Sequence, residues 1–84
     1  MDLEYAEQVA ERFGARLREL RSKAGITQAA LGKKCGVRQA SIAEYERGRS
    51  SPSWPYVVRL AFALGVTPDA FTAIPGEKEN RNFD

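Results

Sequence analysis

Thirteen lysines and arginines are the residues of this 84-residue chain best equipped for chemistry, and their placement says which chemistry. Eleven of them fall between residues 12 and 59, against only Glu19, Glu44 and Glu46, so that stretch carries +8. Residues 1–11 carry −4 through Asp2, Glu4, Glu7 and Glu11, and residues 60–84 carry −2, which leaves the chain at +2. A basic centre between acidic ends points to a polyanion as the partner of the centre. Catalysis is poorly served by contrast. Histidine is absent, which removes the commonest general base and metal ligand, and Cys35 is the one cysteine, so neither an intrachain disulfide nor a structural zinc site is expected. The remaining Ser, Asp and Glu residues show no nucleophile with a base, no paired carboxylates and no glycine-rich phosphate loop. No enzymatic activity, metal or cofactor is expected.

The elements that position the basic residues must come from one small core. A chain of this length buries only about 60% of its unfolded surface. Its 43% apolar and 29% charged residues are those of an ordinary globular domain, and no apolar run has membrane-spanning length. The N-terminal MDLEYAEQVAERF is acidic where a signal peptide is basic, so the cytosol is the expected compartment.

Ala6, Val9, Ala10, Phe13, Leu17, Leu20 and Ala24 recur three and four apart, which predicts a long first helix, capped by Asp2 and stopped by Gly25. Thr27 opens a short second helix from Gln28 to Cys35, ended by Gly36. A third runs from about Arg38 to Arg47 with Val37, Ile42 and Tyr45 inward, and Gly48 terminates it. Ser53 starts a fourth, whose stripe is Trp54, Val57, Val58, Leu60, Ala61 and Leu64, with Trp54 placed in the core. Thr67 and Pro68 then have the order of a helix start, predicting a fifth, short helix from Asp69 to about Ala73. The polar segment 74–84 is expected to be a mobile tail.

The spacing inside residues 28–47 is the informative part. Gly32 leaves room for a close approach of the third helix, Gly36 makes the turn, and Val37 and Ile42 fill the gap, which is how a helix-turn-helix is built. The stretch TQAALGKKCGVRQASIAEYERGRSSPS resembles the DNA-binding domain of the Cro and lambdoid-repressor family, also called the XRE family. FGARLRELRSKAG resembles its first helix, TQ the start of its second, GVRQASIAEYERG its third and PSWPYVVRLAFALGV its fourth, and the likeness spans residues 13–72. The resemblance implies an all-α, five-helix, lambda-repressor-like domain over 13–73, with residues 1–12 as an N-terminal extension of its first helix.

By that resemblance the third helix enters the major groove, and Arg38, Gln39, Ala40 and Glu44 read base edges. Arginine suits guanine, glutamine adenine, an alanine methyl thymine, and a carboxylate the cytosine amino group. Gln28, Ser41, Arg47 and Arg49 are implied to contact the phosphate backbone, with Lys33 and Lys34 as weaker candidates. Arg21 and Glu46 occupy positions where relatives hold a structural ion pair, and Cys35 stands where they commonly have leucine. The partner implied is a double-stranded, palindromic operator bound by a homodimeric transcriptional regulator, a repressor by preference, in a cytoplasm of bacterial or phage type. Antitoxins and restriction-modification controllers share this pattern. A protein-interaction adaptor or coactivator on the same fold is the alternative from another class. Two departures from the family pattern, the acidic N-terminal extension and Phe62, mark Leu3, Tyr5 and Phe62 as a dimer or partner surface, with Phe62 packing on Leu3 and Tyr5 or on a second subunit.

Overall fold

Helix α1 spans Leu3–Ala24 because its apolar side chains keep to one face for six turns, and that face delivers Phe13, Leu17 and Leu20 to the interior. Gly25, at φ 71°, ends it in the left-handed conformation. In the computed structural model, which describes residues 3–72, α2 (Gln28–Cys35), α3 (Gln39–Glu46) and α4 (Trp54–Leu64) follow, with no strand among the described residues. The Thr27 hydroxyl accepts the Ala30 N–H at 3.0 Å and caps α2, and Gly36 closes it at φ 76°. None of the described helices is long and apolar enough to cross a membrane.

The α2–α3 pair packs on α1 through α3 and on α4 through α2. Leu17, Leu31, Ile42 and Leu60, one from each helix, are the fully buried side chains at the centre, with Leu20, Cys35, Ala61 and Phe71 around them. Two glycines set how closely the helices approach. A Cβ on Gly32 would stand 2.6 Å from the Val37 carbonyl oxygen, so only glycine permits this turn. A Cβ on Gly14 would stand 2.8 Å from the carbonyl oxygen of Glu46 and closer still to that of Tyr45, so glycine also lets α1 touch the end of α3.

Three expectations need correction. The fifth helix is a 3-10 turn, Pro68–Thr72, so the described residues hold four α-helices and not five. The Ala70 N–H bonds the Thr67 carbonyl at 2.9 Å in the tighter i to i+3 pattern, and Arg16 Nε donates to the Ala70 carbonyl at 2.7 Å. This turn seats Phe71 against Phe13, their ring centroids 4.9 Å apart. Trp54, placed in the core by its stripe, is 65% exposed, because Val57, Leu60 and Ala61 take the inward positions and leave the first residue of α4 at the rim. Phe62 does not pack on Leu3 and Tyr5: it is 87% exposed and lines a separate hollow with Lys33 and Lys34. Asp2 as a cap, Ala73 as a helix end and the tail 74–84 lie outside the described residues.

Candidate nucleic-acid interface

Ile42 orients α3. It is 0% exposed, and with 3.6 residues per turn its burial turns Ala40, Glu44 and Arg47 to the opposite side of the helix. Arg38 forms the N-cap with an extended backbone (φ −74°, ψ 152°) and no side-chain capping bond. Arg38, Gln39 and Ala40 are all exposed, so the first turn of α3 offers a guanidinium, an amide and a methyl to whatever approaches. Glu44, half-buried, receives a hydrogen bond from Arg47 at 3.3 Å, and Ser41 sits half-buried between the outer and inner sides. Arg49 is exposed in the loop that follows.

A buried polar knot holds α3 in this attitude. Arg21 Nε and Nη2 donate to Glu46 Oε2 and Oε1 at 2.6 and 3.1 Å, a two-pronged pair between α1 and α3 with 15% and 5% of the side chains exposed. Arg21 Nη1 also donates to the Ile26 carbonyl at 3.0 Å, which ties in the α1–α2 turn. The hydrogen bond to Glu46 raises the Arg21 pKa above its already high ordinary value, so this cation stays charged. Gln28, placed on the phosphate backbone by resemblance, donates from Nε2 to Glu46 Oε1 at 3.0 Å and so links the start of α2 to the end of α3. That link is invisible in the sequence, where residues 28 and 46 are polar side chains 18 positions apart.

Sequence reasoning passed over two more arginines. Arg16 is 4% exposed in the α1 face otherwise filled by apolar groups, bonded to Ala70 and, at 2.9 Å, to Glu19. Its position between apolar neighbours at Phe13 and Leu20 was the available signal. Arg59 lies over the Tyr56 ring at 4.8 Å and donates to the Cys35 carbonyl at 3.4 Å; the three-residue spacing of Tyr56 and Arg59 on one helix was the clue. Lys33 and Lys34 are exposed near the C-terminal end of α2, away from its capped start.

Cys35 is buried, and desolvation raises its thiol pKa despite the opposing charges of Arg59 and Lys34. The native thiol is therefore expected to react with iodoacetamide many-fold more slowly than the thiol in urea-unfolded chain; equal rates would show an open site. The Tyr45 hydroxyl is raised as well, again first by burial. Both groups are neutral when protonated, so their contribution to stability is complete below the ordinary thiol and phenol ranges. It is lost as pH climbs through the folded-state values, and the urea midpoint should fall on the alkaline side.

Residues 12–73 match the family described as the helix-turn-helix domain. Repressor protein C2 of Salmonella phage P22 is 41% identical to this chain over 57 residues, which cover 68% of this chain and 26% of that protein. The chain thus spans about a quarter of that repressor's length. The crystal structure of the restriction-modification controller protein C.AhdI from Aeromonas hydrophila superposes with a TM-score of 0.75 at 32% identity, over 77% of this chain and 94% of the controller. The P22 c2 repressor in complex with a synthetic operator superposes with a TM-score of 0.67 at 39% identity, over 70% and 89% of the two chains.

Proposed function

The chain belongs to the helix-turn-helix domain family, in its Cro and lambdoid-repressor branch, and from that premise we propose that it is a sequence-specific regulator of transcription that binds double-stranded DNA. The observation that carries the reading is the first turn of α3. Arg38, Gln39 and Ala40 stand exposed, outside the core, on a helix whose opposite side is pinned by Ile42, Gly32 and the Arg21–Glu46 pair.

In this reading α3 lies in the major groove. Arg38 donates to the two acceptors of guanine, Gln39 bridges the N6 and N7 edge of adenine, Ala40 meets a thymine methyl, and Glu44 accepts from a cytosine amino group. Arg47 leaves Glu44 for a phosphate, and Arg49 and Ser41 make the flanking backbone contacts. Gln28 keeps one amide hydrogen on Glu46 and turns the other to a phosphate beside the N–H groups of the α2 start, where the helix dipole favours an anion. A homodimer places two such helices on the half-sites of a palindrome, roughly 34 Å apart. Regulation is repressive in the first instance, since a body occupying a promoter obstructs it without further domains. The site of action is the cytoplasm, where the DNA is.

The phosphate assignment separates from the base assignment in solution. Arg47→Ala and Arg49→Ala should each weaken binding by a similar factor on all duplexes and lower the salt slope of log K by about 1. A base-selective loss from either variant would move that arginine into the reading set.

A further inference from the structure

Helix α4 is apolar on two sides, and the fold covers one of them. Val57, Leu60 and Ala61 face the core, while Val58 and Phe62, one turn apart on the outer side, are 40% and 87% exposed. Arg59 is the one charged residue of this helix. An outer face with so little polar surface is the kind that a partner covers. Val58 and Phe62 form the apolar floor of a hollow of about 540 Å³ against the end of α2, which they share with Lys33, Lys34 and Arg59. Among the described residues none of these three cations has a carboxylate within ion-pair reach, and neither α2 nor α4 contains an acidic residue. Arg59 is held in place by the Tyr56 ring and the Cys35 carbonyl, and its charge, with that of Lys34, reaches the buried Cys35 thiol.

We propose that this hollow docks an acidic segment of a partner protein, which sets an aromatic or aliphatic side chain on Val58 and Phe62 between carboxylates held by Lys33, Lys34 and Arg59. The inference goes beyond the DNA-binding reading and does not depend on it. Charge makes the occupant anionic, since three neighbouring cations without acidic partners gain most from carboxylates. The apolar floor makes it a peptide. Duplex phosphates are bound by cations and N–H groups and gain nothing from Val58 or Phe62. A single strand stacks its bases on ring faces, and the second ring nearby, Tyr56, is already covered by Arg59. A second copy placed hollow to hollow would set three cations against three.

The test uses the full chain without DNA, titrated with a short peptide of Asp, Glu and Gly around one central Phe, and with the same peptide carrying Ser at its centre. Amide NMR gives the affinity and the place together. Shifts should centre on Lys33, Lys34, Gly36, Val58 and Phe62. Ser at the centre of the peptide should weaken binding at least about fivefold, and so should Phe62→Ser in the chain, whose side chain lies outside the core. Lys33→Glu combined with Lys34→Glu should reverse the preference, so that a lysine peptide around the same Phe binds better than the acidic one. The exchange within the peptide needs no variant of the chain, which keeps the test decisive where a variant disturbs folding. Shifts centred on α3 or scattered over the basic surface, equal affinity for the Phe and Ser peptides, or no binding at about 1 mM would overturn the proposal. So would tighter binding of oligothymidylate at the same residues, which gives the hollow to nucleic acid, or loss of self-association in Phe62→Ser by sedimentation, which gives it to a second copy.

Discussion

Gly14→Ala should destabilise the domain by about 3 kcal/mol or more. The expectation runs against helix propensity, which favours alanine over glycine by up to about 1 kcal/mol in an open helix. Here the added methyl has no room, since it would meet the backbone oxygens of Tyr45 and Glu46 and neither belongs to a side chain that can swing aside. Either α1 or the end of α3 must move, and both are anchored, one by Leu17 and the other by Ile42, each 0% exposed. The lost contact is the one that sets the tilt of α3, so operator affinity should fall with stability. Urea denaturation followed by circular dichroism measures the first effect. A midpoint equal to or above that of the parent would mean that α1 and α3 do not touch at Gly14.

Glu46→Ala carries the second large effect, about 3–5 kcal/mol, because it strands a guanidinium that has left water. Three donors lose their acceptor at once: Arg21 Nε, Arg21 Nη2 and Gln28 Nε2. The Ile26 carbonyl remains to Arg21 but carries no negative charge to balance it. Surface pairs are worth far less, and Glu44 with Arg47, 42% and 60% exposed, is the internal control: removing it should change stability by less than about 1 kcal/mol. Replacing both members of the buried pair, as Arg21→Met with Glu46→Leu, should cost less than Glu46→Ala alone, since no charge is then left without a partner. Equal costs for the single and double variants would mean that the attraction between the charges matters more than their desolvation. The consequence for function is that Gln28 loses its tether, and the start of α2 loses its fixed distance from α3.

Much of this was legible in the amino-acid order, and the rest was hidden for physical reasons. Glycines at 25 and 36 end helices because left-handed residues are written locally, and the same holds for Thr27 as a cap. The α2–α3 turn was legible because Gly32, Gly36, Val37 and Ile42 lie within eleven residues. Periodicity counts apolar groups, however, and so it missed Arg16, whose burial depends on a carbonyl 54 residues away. It also overfilled the core with Trp54, since a stripe does not say which of its members the neighbouring elements reach. The 3-10 turn at Pro68–Thr72 escaped for a related reason: cap and proline mark where a helical turn begins, while its pitch follows from Arg16 and Phe13. Of the site, the exposed first turn of α3 came from local pattern, whereas the bond from Gln28 to Glu46 needed the fold.

Whether the exposed first turn of α3 reads bases is decided by selection from a randomised duplex pool with the parent chain, Arg38→Ala and Gln39→Ala. Base reading by α3 entails an enriched palindrome for the parent, binding that weakens steeply with salt, and for each variant a loss of about 1–3 kcal/mol confined to one base position per half-site. No enrichment by the parent, or an enriched site that both variants bind as the parent does, would contradict it and leave the fold serving a protein partner instead.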